Sequence, residues 1–158
     1  MPEPMDVEEV LASLQDALQA QGRSILTMTV LAGTMRGVGG AAIKGQLREF
    51  VLAELADTYL LVEKMSAIGG TPRIKAESIE VSQDTQQALD ALLDHEARAV
   101  AGFHAVIAHS GQEPRSEALE HLLEHMIMRK QQQVDFLWHA TERDEPLVYN
   151  PDQVDLSS

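Results

Sequence analysis

Apolar residues recur every three or four positions along four long stretches of this chain, the spacing of one face of an α-helix. The first stripe is Val10, Leu14, Ala17, Gln21, Ser24, Met28 and Leu31. It begins after Asp6, a suitable N-cap, and runs to Arg36, where Gly37-Val38-Gly39-Gly40 predicts a stop and a hairpin turn. The second starts near Ala41, runs through Leu47, Val51, Glu54, Thr58, Leu61, Met65 and Ile68, and closes at Gly69-Gly70-Thr71-Pro72. A longer connection, 71–83, carries proline and scattered polar residues. The third helix is expected from Asp84 to His109, with Leu89, Leu92, Glu96, Val100, Phe103 and Ile107 inward. After a turn at 110–115 containing Gly111 and Pro114, Ser116 or a neighbour caps the fourth, which extends to about Arg143. Its stripe is Leu119, Leu122, Met126, Lys130, Gln133 and Leu137.

The expected fold is therefore all-α: two antiparallel helical hairpins joined by a long crossover into a four-helix bundle. Helices of about 26 to 31 residues would each reach about 40 Å, and their matched lengths favour side-by-side packing. The bundle is expected to occupy 1–143. From Asp144 the periodicity fades, predicting an extended or disordered tail over 144–158.

Each stripe is interrupted near its midpoint by a polar residue: Gln21, Glu54, Glu96 and Lys130. In an antiparallel bundle these midpoints share one layer. Charge in an apolar core is costly unless it is paired or bound to metal, so the layer is the candidate functional site.

The bulk numbers narrow the partners. Twenty-five acidic residues against 12 basic give a formal charge of -13, which disfavours nucleic acid and anionic membranes. No apolar run reaches the roughly 18 residues of a membrane span. The opening Met1 to Asp6 is acidic and lacks the profile of a signal peptide. With no cysteine there are no disulfides or thiolate ligands, which fits a cytoplasmic setting.

In di-iron carboxylate bundles, two helices give one glutamate each and the other two give Glu-x-x-His. Here helix two offers Glu54-Leu55-Ala56-Asp57 and helix three offers Glu96, while helix one has Gln21 and helix four has Lys130-Gln131-Gln132-Gln133. Two further segments add to the likeness. Leu61-Val62-Glu63-Lys64-Met65-Ser66-Ala67-Ile68-Gly69-Gly70-Thr71-Pro72 is similar to the end of helix two in bacterioferritins and related mini-ferritins. Val134-Asp135-Phe136-Leu137 resembles the Ile-Asp-Trp-Leu that follows the bacterioferritin histidine. The likeness covers about residues 6 to 140. It implies a ferritin-like bundle, iron binding or storage, and assembly into a homo-oligomer, as a dimer or a cage.

Carried over by position, Glu54 and Glu96 match family ligands and would bridge metal, with Asp57 terminal and Gln21 or Gln133 as neutral ligands. Lys130 and Gln133 stand where a bridging glutamate and a histidine belong, so the di-iron centre is incomplete and ferroxidase activity is expected to be weak or absent. Leu55 occupies the place of the family's haem methionine, and no haem is expected. Two readings of the layer follow. In one, Glu54, Asp57 and Glu96 hold iron. In the other, Lys130 is the counter-ion of a metal-free structural or interaction protein, such as an inactive subunit co-assembling with an active ferritin.

His121-Leu122-Leu123-Glu124-His125 places two histidines at i, i+4, a spacing that can clamp a transition metal, with Glu117 one turn earlier; the bland reading is a solvated or interface pair. His95, beside Glu96, is expected to point away from the core. No phosphate-binding loop or nucleophile–histidine–aspartate order appears.

Overall fold

The computed structural model describes residues 3–141 and contains four α-helices: α1 (Val7–Thr34), α2 (Gly37–Ala67), α3 (Thr85–Ile107) and α4 (Pro114–Ala140). Around the bundle the neighbours run in the cyclic order α1, α2, α4, α3, with α2 and α4 the least closely packed adjacent pair. Among the described residues no helix is long and apolar enough to cross a membrane.

Local chemistry sets the ends. Asp6 accepts a hydrogen bond from the Glu9 amide (3.2 Å) and Asp84 one from the Gln87 amide (2.9 Å), each satisfying a donor the helix leaves open. Gly69 and Gly70 donate to the carbonyls of Ser66 (3.0 Å) and Met65 (2.8 Å), closing α2 where the sequence predicts.

The first turn differs from expectation. Gly37-Val38-Gly39-Gly40 is the opening of α2, and the α1–α2 connection is only Met35 and Arg36, both extended. Gly37, with φ of 81°, makes the reversal by itself, so the remaining glycines are free to be helical. Gly40 is buried, where a Cβ would come within 3.2 Å of the Met35 Cβ. Helix four likewise starts earlier than a Ser116 cap would have it. Pro114 opens the helix after Glu113, and the Ser116 hydroxyl is turned back onto the Ser110 carbonyl.

The crossover is tied to α1 by side-chain amides. Gln15 donates to the Arg73 carbonyl (2.5 Å) and accepts from the Arg73 amide (3.1 Å). One turn on, Gln19 donates to the Lys75 carbonyl (3.0 Å) and accepts from the Lys75 amide (2.8 Å). A further turn on, Arg23 pairs with Glu77 at 2.9 Å. Four helical residues rise about 6 Å and two extended residues about 6.6 Å, so this register matches every helical turn to every second crossover residue.

The apolar interior is in two parts. One holds Val10, Leu14, Leu18, Leu61, Met65, Phe103, Val106, Leu119, Leu123 and Met126; the other holds Met28, Leu31, Leu47, Leu89, Leu92, Leu93, Val134 and Leu137. Along each helix the buried polar residues lie between them: Gln21 and Ser24, Glu54 and Thr58, Glu96, and Lys130 and Gln133.

Candidate functional site

Each helix delivers its polar residue inward because the apolar stripe on either side fixes that face against the core. Lys130 extends into the layer and is 1% exposed, a side chain normally kept at the surface. Its Nζ donates to Glu96 Oε2 at 2.5 Å, to Glu54 Oε1 at 2.6 Å and to Ser24 Oγ at 3.3 Å. The ammonium has three protons, and all three are used. Ser24, while accepting from Lys130, donates its own proton to Glu96 Oε1 in a short hydrogen bond.

These contacts divide the two glutamates. Burial pushes the Glu54 carboxyl up and the negative charge of Glu96 pushes the same way; Lys130 pulls it down, but the balance leaves it raised to about 8. Burial also disfavours a charged Glu96, but there Lys130, His95 and the Ser24 hydroxyl outweigh it and hold the carboxyl below its ordinary value. For Lys130, burial disfavours the ammonium, yet Glu54 and Glu96 prevail and raise it. The two glutamates are therefore pushed apart: the surroundings favour the neutral form of Glu54 and the carboxylate of Glu96 beside the Lys130 ammonium. Glu54 Oε1 accepts from Lys130, while Oε2 has no protein partner.

Gln21 and Gln133 are both buried in this part of the core. Gln21 Oε1, both polar atoms of the Gln133 amide and the Thr58 hydroxyl have no protein partner. Asp57 is buried as well, but its carboxylate is engaged elsewhere. Oδ2 lies 2.9 Å from Arg129 Nε and Oδ1 lies 3.4 Å from His125 Nε2. Of the five residues named as candidate ligands, Glu54 and Glu96 thus meet at one point, Gln21 and Gln133 line the same region, and Asp57 faces α4 through Arg129 and His125. Among the described residues no three His, Asp or Glu side chains are grouped to hold a metal ion.

Three contributors escaped the sequence reading. Ser24 sits on the inward stripe one turn after Gln21, and its polarity in that stripe was the available signal. Arg129 had no such signal, because it precedes Lys130 and is partly exposed. His95 is the clear correction. It is buried, not outward, and its Nε2 lies 3.1 Å from the Ala20 carbonyl. Burial holds its imidazole below the ordinary histidine value against the opposing pull of Glu96. Neighbouring residues on a helix diverge by about 100°, but the core facing α1 is wide enough to receive both.

The Ferritin-like domain model matches residues 11–145. The chain belongs to the ferritin-like family. No curated protein matches the sequence. Among solved structures, a ferritin-like di-iron-carboxylate protein from Bacillus anthracis str. Ames is 20% identical, with a TM-score of 0.75, covering 85% of this chain and 96% of that one. The dodecameric thioferritin of Bacteroides fragilis, a bacterioferritin-related protein, is 14% identical, with a TM-score of 0.75 and 86% of each chain covered. A Dps1 point mutant from Mycobacterium smegmatis is 16% identical, with a TM-score of 0.72, covering 86% of this chain and 97% of that one. At these identities the likeness is one of fold, and the ferritin-like bundle expected from the sequence is the one observed.

Proposed function

We propose that this ferritin-like protein is a subunit of an iron-binding or iron-storing assembly whose central layer is closed by an internal ion triad and does not itself oxidise iron. The observation that carries this reading is the Lys130 ammonium, 2.6 Å from Glu54 and 2.5 Å from Glu96. A dication bridging those glutamates would stand where the ammonium stands, and positive charges at one point in a low-dielectric core repel strongly. The family plan draws on four glutamates and two histidines. This layer offers two glutamates, two amides, two hydroxyls and a lysine. Its unpartnered atoms mix neutral donors and acceptors, a set suited to water more than to a metal ion. The residues do not fit a di-iron cofactor. Iron in this reading is the cargo of the assembly.

Self-association has its own support. Leu52, Leu55 and Tyr59 lie along one outward face of α2 and are 69%, 49% and 67% exposed. Large apolar side chains exposed together mark contact surfaces. The Bacteroides fragilis relative is dodecameric, which supports assembly of this chain into a homo-oligomer.

The test is iron content per subunit by elemental analysis, after loading with ferrous iron in air and desalting, with the oxidation rate followed in parallel. The expected result is no iron dependent on Glu54 or Glu96 in the unaltered protein, and increased iron binding in Lys130→Glu. About two irons per subunit, lost on substituting Glu54 or Glu96 by alanine, would overturn the reading.

A further inference from the structure

His121 and His125 stand one turn apart on α4, and both line a cleft of about 750 Å³ between α2 and α4. Glu117, one turn earlier on α4, and Glu63, across on α2, line the same cleft. It lies between α2 and α4, the loosest adjacent pair in the bundle. None of these four residues belongs to the central triad. Imidazoles at i, i+4 lie on one helix face and can reach a common point, and imidazole is the preferred ligand of the later first-row divalent cations.

A second observation concerns orientation. His125 Nε2 faces Asp57 Oδ1 at 3.4 Å, and the Asp57 side chain is 5% exposed against 43% for His125. Arg129, with Nε 2.9 Å from Oδ2, holds the other carboxylate oxygen. One ring nitrogen of His125 thus faces an anchored, buried carboxylate, and Nδ1 is the nitrogen left for a ligand. A carboxylate on the far nitrogen of a histidine orients the ring that binds a metal. The role also accounts for Asp57, a buried acid that takes no part in the triad.

We propose that His121 and His125 form a surface site for a divalent first-row cation, with Zn2+ the simplest probe. Asp57 is its positioning residue. Glu117 or Glu63, by side-chain rotation, and water complete the coordination. The site is separate from the central layer, so its test does not depend on what the layer does.

The experiment is calorimetric titration of the chelator-treated, full-length protein with Zn2+ at neutral pH. The expected result is one tight site per chain that weakens about tenfold or more in His121→Ala and in His125→Ala, and is unchanged in His139→Ala. Circular dichroism establishes that the variants remain folded. Unchanged affinity in both His121→Ala and His125→Ala overturns the site. Nitrogen-15 spectra of the histidine rings provide a check that needs no variant. A Zn2+-induced shift at His125 Nδ1 supports the arrangement, and one at Nε2 overturns the role given to Asp57.

Discussion

Lys130 and Glu96, on adjacent helices and 34 positions apart in sequence, are held at 2.5 Å with both side chains almost completely enclosed. A buried ammonium within reach of two carboxyl groups is a feature that can be removed from either side, and the two removals have different consequences.

Lys130→Met keeps the length of the side chain and removes the charge. Glu96 is then left with Ser24 and His95 for compensation, and Glu54 Oε1 loses its donor. Breaking a buried pair in this way is expected to cost roughly 3 to 5 kcal/mol. Urea denaturation at neutral pH measures it. An unchanged midpoint would mean that the triad contributes nothing to stability.

Glu54 makes stability depend on pH in an unusual direction. Its carboxyl is raised from 4.5 to about 8 in the folded protein. Between those values the unfolded chain ionises and the native one keeps its proton, so stability is fully present below about 4.5 and falls as pH rises toward 8. The loss from this group is on the order of 5 kcal/mol. Glu96, which is lowered, acts oppositely, and its contribution is lost only as pH falls through its native value. Glu54→Gln retains an oxygen for Lys130 and removes the titration. Its denaturation midpoint is expected to be flatter than wild type from pH 4.5 to 8.

His95 adds a separate acid limb. A histidine lowered by burial stays neutral in the native state while the unfolded chain takes up a proton below about 6.5, so stability falls as pH drops through that value. Removing the imidazole in His95→Gln should weaken this limb, which acid titration followed by circular dichroism would detect.

Gln15 and Gln19 are predicted to hold the crossover without contributing to the core. Replacing either by alanine removes two hydrogen bonds to exposed backbone, and in Gln19 a third to Glu77, and should cost about 1 kcal/mol. Faster amide exchange at Arg73 in Gln15→Ala, and at Lys75 in Gln19→Ala, would locate the effect. Equal exchange in variant and wild type would argue against the clamp.

Gly111 joins the chain's beginning to the α3–α4 turn. Its φ is 74°, and a Cβ there would come within 2.5 Å of the Pro4 carbonyl oxygen. The next residue, Gln112, donates to the Glu3 carbonyl at 2.7 Å. Gly111→Ala should destabilise by about 1 to 3 kcal/mol and expose residues 3–6 to proteolysis.

Much of this architecture was legible in the one-dimensional pattern. Periodicity alone determined four helices, their inward faces, the crossover and the polar interruption at each midpoint, because helix register is a local property of about seven consecutive residues. Punctuation was read less well: the Gly37–Gly40 run signals a turn by composition, but one residue with φ of 81° sufficed to make it. That Glu54, Glu96 and Lys130 would belong to one layer followed from matching helix lengths. What they do there did not. Whether Lys130 enters the layer or extends to solvent, whether Asp57 faces Glu54 or Arg129, and whether His95 is inside all depend on how neighbouring helices are rotated about their axes. That rotation is set by the packing of side chains from all four helices at once, and no single segment encodes it.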